Sequence, residues 1–114
     1  MKISEDGQLL RIFIGESDRW HGQPLYEAIV LKAREMGIAG ATMLRGLMGF
    51  GAASRIHTAK ILRLSEDLPI IIEIVDSAEK IELLLPVIDE MVGEGLVTVE
   101  KVRILQYRHG SKKS

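Results

Sequence analysis

The sequence predicts a single α+β domain, residues 1–114, with four strands and two helices in the order β-α-β-β-α-β. Four short apolar stretches have the alternation or continuity of strands, and two others repeat apolar residues at helical spacing. A chain of 114 residues can also bury one core of its own.

The first half of the chain predicts one strand and one helix. Residues 8–15 alternate along a strand that ends at Gly15. Pro24 suits the first helical position, because its missing N–H would have no partner there. The apolar stripe of this helix consists of Leu25, Ala28, Ile29, Ala33 and Met36. Gly37 is expected to end the helix in a left-handed conformation.

The second half predicts three strands and the second helix. The strands are residues 40–47, 69–75 and 96–107. Asp76, with Glu79 three residues later, is typical of a capping box and is expected to cap the second helix. Pro86 is expected to bend this helix, and Gly93 and Gly95 to end it. Its buried stripe consists of Ile81, Leu84, Leu85, Ile88 and Val92.

This order of elements is that of a ferredoxin-like fold, an antiparallel four-stranded sheet with both helices on one face. Glu73 is the single charge in the apolar stretch 70–75, so it is expected on the other face, where Arg11 is a suitable partner. That second face is largely apolar and needs cover. Residues 110–114 are expected to form a short basic tail.

The composition excludes several classes of function. The chain has no cysteine, which excludes disulfides, thiolate catalysis and cysteine-based metal sites. No apolar run approaches the about 18 residues of a membrane helix, and the start of the chain is acidic, so a soluble, cytoplasmic protein is expected. Asparagine is also absent, as heat selection favours, although chance in a short chain gives the same result.

The connection between the second and third strands, residues 48–67, is unusually long for a small domain. Most of it, residues 48–65, belongs to a stretch, residues 36–65, that has no carboxylate. The bases of that stretch are Arg45, Arg55, Lys60 and Arg63. Long connections of this kind usually carry function.

These residues predict a site for a small anion. Backbone N–H groups around Gly49 and Gly51 suit an anion-binding nest, since glycine adopts the positive φ that a nest requires. Arg45 and Arg55 are expected to bind phosphate or carboxylate through paired hydrogen bonds. His57 is a further candidate ligand. The alternative is a loop whose bases are merely solvated.

Two motifs make the chain recognisable. Residues 40–51 (GATMLRGLMGFG) and 68–76 (LPIIIEIVD) resemble the PII-like family catalogued as domain of unknown function 190, and the resemblance extends over residues 9–107. It implies a homotrimer of ferredoxin-like domains that binds adenine nucleotides between subunits. It also implies that residues 48–67 form a T-loop, which engages a partner such as a membrane transporter or an enzyme.

The resemblance also suggests where the ligand binds. Gly49 and Gly51 match the glycines at the start of the T-loop, and residues 93–95, with Gly93 and Gly95, fall where the phosphate-binding B-loop lies. Arg108 matches the basic C-terminal segment. The longer B-loop with an Asp-Gly-Lys run, found in other PII proteins, is missing here.

Other classes of function remain open. A ferredoxin-like sheet can bind RNA, but such sheets display aromatic residues for base stacking, and only 4% of this chain is aromatic. A pure protein-interaction module is a second alternative. Catalysis and metal binding are disfavoured, because the histidines are scattered and the neighbouring acids Asp89 and Glu90 belong to an exposed helix face. Trp20 and His21 can stack on a ring or anchor their loop.

Overall fold

A computed structural model describes residues 6–50 and 68–108, together with the backbone of residues 57 and 58. The main strands are β1 (Asp6–Gly15), β2 (Ala41–Arg45), β3 (Pro69–Ser77) and β4 (Leu96–Arg103), and the helices are α1 (Leu25–Glu35) and α2 (Ala78–Met91). This confirms the β-α-β-β-α-β order and the α+β class.

The four strands form one antiparallel sheet in the order β2-β3-β1-β4. Strand β1 lies in the middle because it pairs with β3 on one side and with β4 on the other. Alternate residues of β1 and β3 face the helices and form the core with them. The sheet contributes Leu10, Ile12, Ile14, Ile70, Ile72 and Ile74 to this core, and the helices contribute Leu25, Ala28, Ile29, Ala33, Ile81, Leu84, Ile88 and Met91.

Helix α1 begins one residue later than predicted, because Pro24 is the cap and not the first helical residue. Its end confirms the prediction for Gly37, which has a φ of 78°. The N–H of Gly37 donates to the carbonyl of Arg34, and the N–H of Ile38 donates to the carbonyl of Ala33. These two bonds satisfy carbonyls that the last turn of a helix otherwise leaves free.

The cap of α2 was predicted wrongly, since Ser77 and not Asp76 caps the helix. The hydroxyl of Ser77 accepts a hydrogen bond from the N–H of Lys80. Asp76 is still a residue of β3, opposite Gln8, and its side chain is buried. Its carboxylate accepts from the N–H groups of Ala39 at 2.9 Å and Ser77 at 2.6 Å, and thereby ties the start of β2 to the end of β3.

The other boundaries of α2 and β4 follow the prediction in part. Pro86 lies inside α2 as expected. The cap at its C-terminal end is Val92, and Gly93 is the next residue. Strand β4 ends at Arg103 and not at residue 107, because Arg103 pairs with Asp6, the first residue of β1.

Two short ladders complete the described structure. Arg19–Trp20 pairs with Gln23–Pro24 ahead of α1, and Met48–Gly49 pairs with His57–Thr58 beyond β2. None of the helices in the described residues is both long and apolar enough to cross a membrane.

Candidate functional site

The candidate anion site lies where β1 and β2 end and where β3 and β4 begin, which we call the loop end of the sheet. The pairing of Arg45 with Ile70, and of Gly15 with Pro69, places these strand ends side by side. Beyond Arg45, the N–H of Gly46 donates to the carbonyl of Pro69 at 2.7 Å. This bond holds the chain on the sheet where the long connection begins.

The base of the long connection is the ladder between Met48–Gly49 and His57–Thr58. Gly49 pairs directly with His57 in this ladder, so two predicted site residues are neighbours in the backbone. Two other predicted residues, Gly51 and Arg55, lie outside the described residues.

Gly49 has a packing role that the sequence did not reveal. A Cβ atom at this position would lie 3.1 Å from Cγ of Pro69, closer than most packed carbons approach. The positive φ that we expected for a nest is not found at Gly49, which belongs to a strand. The requirement for glycine here therefore comes from close packing on Pro69.

Arg45 forms an ion pair with Glu16, the residue that follows β1. The Arg45 side chain is 53% exposed, whereas that of Glu16 is 21% exposed. The stretch 36–65 has no carboxylate of its own, but the fold brings Glu16 from outside the stretch to Arg45. This contact cannot be recognised from the spacing of residues in the sequence. Strand β3 lies between β1 and β2 in the sheet, so the ends of β1 and β2 come near each other only when the sheet forms.

Gly93 and Gly95 also lie at the loop end of the sheet, just before β4. Leu96 is opposite Phe13, so the segment adjoins the end of β1. A Cβ atom on Gly95 would lie 2.5 Å from the carbonyl oxygen of Phe13, whereas Gly93 has open space around it. Three strand spacings, roughly 14 Å in all, separate β4 from β2 and therefore this segment from Arg45.

Arg108 lies at the opposite end of the sheet. It follows β4, whose last residue, Arg103, is paired with the first residue of β1. The neighbouring Tyr107 donates from its hydroxyl to the carbonyl of Ala39 at 2.8 Å, and Arg108 itself donates to the side chain of Gln106. One chain therefore places Arg45, Gly49 and His57 at the loop end, with the Gly93–Gly95 segment at the same end but roughly 14 Å from Arg45, and Arg108 at the opposite end.

The open face of the sheet carries the charge pair that the sequence predicted. Nε of Arg11 lies 2.9 Å from a carboxylate oxygen of Glu73, its direct partner across the strands, and Nη1 lies 3.8 Å from Glu100. The hydrogen bond to Glu73 is the main reason that the pKa of Arg11 is raised. Thr42 lies beside Glu73 and Thr98 beside Arg11, whereas the neighbouring rows of this face carry the exposed apolar residues Leu44, Val75 and Leu96.

Trp20 and His21 stack on each other, with ring centroids 4.2 Å apart and planes 12° from parallel. Trp20 packs against the core, which favours the anchoring role. His21 and Gly22 form the turn of the short hairpin and both have positive φ, 48° and 83°. Within the described ranges, no group of three or more His, Asp or Glu side chains is arranged to hold a metal ion.

Comparison with known proteins places the chain in a family. The family model DUF190, described as "Uncharacterized ACR, COG1993", matches residues 7–104. The chain belongs to this family. A UPF0166 protein of Aquifex aeolicus is 37% identical over 100 residues, which cover 86% of this chain and 92% of the relative.

Solved structures of PII-like proteins share the fold. CPII of Thiomonas intermedia K12, a nitrogen regulatory PII-like protein bound to ADP, AMP and bicarbonate, has a TM-score of 0.63 at 19% identity, covering 89% of this chain and 90% of CPII. A protein of Thermus thermophilus, proposed to be a PII-like signalling protein, also has a TM-score of 0.63 at 19% identity, covering 87% and 89%. At these identities the similarity concerns the fold. The family model confirms the sequence-based recognition of a DUF190 protein, and these structures confirm the ferredoxin-like fold that was expected with it.

Proposed function

We propose that this protein is a non-enzymatic PII-like regulator that binds a small anionic ligand, an adenine nucleotide, in clefts between the subunits of a homotrimer. Residues 48–67 would act as the T-loop that signals ligand binding to a protein partner. Membership of the DUF190 family supports this proposal, as does the shared fold with CPII, whose structure holds ADP, AMP and bicarbonate.

The observation that carries the proposal is the position of Arg45 at the base of the long connection. Its guanidinium is half exposed, and the bond from Gly46 to Pro69 fixes the backbone beside it. A guanidinium of this kind can donate two parallel hydrogen bonds to a phosphate or a carboxylate. An anion bound there would contact the segment that leads into Gly49, and binding would thus be coupled to the connection.

The trimer is proposed because one chain does not complete the site. Arg108 lies at the opposite end of the sheet from Arg45, so a second subunit must supply its basic segment if both contact one ligand. The open sheet face suits association, since it exposes the apolar side chains of Leu44, Val75 and Leu96 and the charges of Arg11 and Glu73 are already paired. Carboxylates at the centre of this face also disfavour RNA binding there.

A thermal-shift screen tests the proposal, with ATP, ADP, AMP, 2-oxoglutarate and hydrogencarbonate as probes. A ligand at 100 times its Kd adds about 2.7 kcal/mol to the free energy of unfolding, which raises the Tm of a domain of this size by several degrees. Arg45→Gln should abolish most of the shift. Arg34→Gln is the matched control, because it removes the same charge from an exposed position near the end of α1.

The second candidate is a module that binds a protein partner directly. It is favoured by three exposed apolar residues beside the base of the connection, Leu47, Met48 and Phe50, whose exposed fractions are 74%, 62% and 73%. Such a cluster is typical of a protein contact surface. A flat response to every probe, in a parent protein that unfolds cooperatively, would favour this candidate over the ligand-binding regulator.

A further inference from the structure

The ion pair between Glu16 and Arg45 has a role if Arg45 binds anions. Arg45 ends β2 and Glu16 follows β1, and the first residues of β3 lie between them in the sheet. The side chain of Arg45 points to the same face as Ile70 and Ile14, the face that carries the helices. The carboxylate of Glu16 is therefore paired with the guanidinium to which an incoming anion would have to bind.

Hydrogen bonds of the backbone hold Glu16 in place at the loop end of the sheet. The N–H of Glu16 donates to the carbonyl of Leu68 at 2.8 Å. The turn that follows is closed by Asp18, whose carboxylate accepts from the N–H of Gly15 and whose own N–H donates back to the carbonyl of Gly15. Only 21% of the Glu16 side chain is exposed, so this side chain packs largely against the loop end.

We infer that Glu16 is a built-in competitor, whose carboxylate occupies Arg45 in the absence of ligand and must be displaced when a small anion binds. This inference rests on the proposed function, because it assigns to the same site a further residue that sets the affinity for the ligand. Since the anion can bind only when Arg45 is free, the apparent affinity for every anion is the intrinsic affinity multiplied by the fraction of molecules in which Arg45 is free.

The inference predicts that Glu16→Gln strengthens anion binding. Glutamine has the same shape but no charge, so it neither pairs strongly with Arg45 nor repels the ligand. Given the usual strength of a surface ion pair, the Kd for ADP or for hydrogencarbonate should fall by about two- to sixfold. Calorimetric titration at constant ionic strength measures this change, because salt screens exposed charges.

Two controls make the result specific to the pair. Glu35→Gln removes the same charge from an ion pair with Lys32 on α1, on an exposed side chain, and should leave the Kd unchanged. In an Arg45→Gln background, Glu16→Gln should have a clearly smaller effect, because the group for which it competes is gone and only its repulsion of the anion remains. A Tm within a few degrees of the parent value confirms that each variant is folded.

The outcomes separate this inference from the proposed function. If Arg45→Gln weakens ADP binding while Glu16→Gln leaves it unchanged, the anion site stands and the competitor is overturned. Weaker binding by Glu16→Gln also overturns it, since Glu16 then orients Arg45 for the ligand. If neither the parent protein nor Glu16→Gln binds either probe, both the proposed function and the competitor are wrong.

Discussion

Tyr107 donates a hydrogen bond of 2.8 Å from its hydroxyl to the carbonyl oxygen of Ala39, 68 residues earlier in the chain. The N–H of the same Ala39 donates to the buried carboxylate of Asp76. One peptide segment at the start of β2 is therefore held from two directions, by the end of β3 and by the segment that follows β4.

Removal of the Tyr107 hydroxyl should weaken this connection. Tyr107→Phe is expected to lower the free energy of unfolding by about 0.5–1 kcal/mol, because the net value of one hydrogen bond is about 1 kcal/mol and this one is partly exposed. Urea unfolding measures the change. Tyr26→Phe is the control, since no hydrogen bond of the Tyr26 hydroxyl occurs within the described part of the chain. Equal stability of the two variants would contradict a contribution from the Tyr107 bond.

The two glycines before β4 should differ sharply in their tolerance of a side chain. Gly95→Ala should lower the free energy of unfolding by about 2 kcal/mol or more, because its Cβ would lie 2.5 Å from the carbonyl of Phe13. Gly93→Ala, with open space around it, should cost less than about 1 kcal/mol. Thermal unfolding of both variants tests the difference. Similar losses for both would contradict the difference that the close approach to Phe13 predicts.

The charge pair on the open sheet face gives a test of the proposed trimer. Glu73→Arg places a second cation beside Arg11 on a surface that assembly would bury, so it should convert trimers into monomers. Light scattering coupled to gel filtration measures the mass. Glu82→Arg is the matched control, since Glu82 lies on an exposed face of α2.

The double variant Arg11→Glu with Glu73→Arg restores opposite charges and should recover at least part of the assembly. A Glu73→Arg protein with the same mass as the parent would argue against an interface at this face.

The turn at His21 should favour glycine. His21 has a φ of 48°, a conformation that costs residues with a Cβ about 1 kcal/mol. His21→Ala keeps that cost and loses the stacking on Trp20, whereas His21→Gly removes the cost and loses the same stacking. The glycine variant should therefore be about 1 kcal/mol more stable than the alanine variant in urea unfolding. Equal stability would mean that the positive φ is not costly here.

Much of the fold could be predicted from the sequence, because hydrophobic periodicity depends on local spacing. The stripe from Leu25 to Ala33 and the run from Ile70 to Ile74 each placed their element correctly. Boundaries were less certain where two residue types compete for one role. Asp76 and Ser77 both favour helix caps, and the pairing of β3 with β1 up to Ser77 decided between them.

The candidate site was harder to predict, because its contacts depend on strand order and not on spacing. The sequence identified Arg45 but not Glu16, which lies 29 residues away and reaches Arg45 only after β3 inserts between their strands. The same reason explains Arg108. Its distance from Arg45 follows from the antiparallel course of β4, which carries the C-terminal segment to the other end of the sheet.

Because Met48–Gly49 pairs with His57–Thr58, the length of the chain between them should have little effect on the stability of the sheet. Because the pairing of Gly49 with His57 fixes both ends, a doubling of the intervening chain costs only about 0.6 kcal/mol in closure entropy. Sequences of different length and character can thus be exchanged at this position while the core stays the same. Residues 50–56 are therefore a suitable place to insert a reporter peptide or a new recognition sequence.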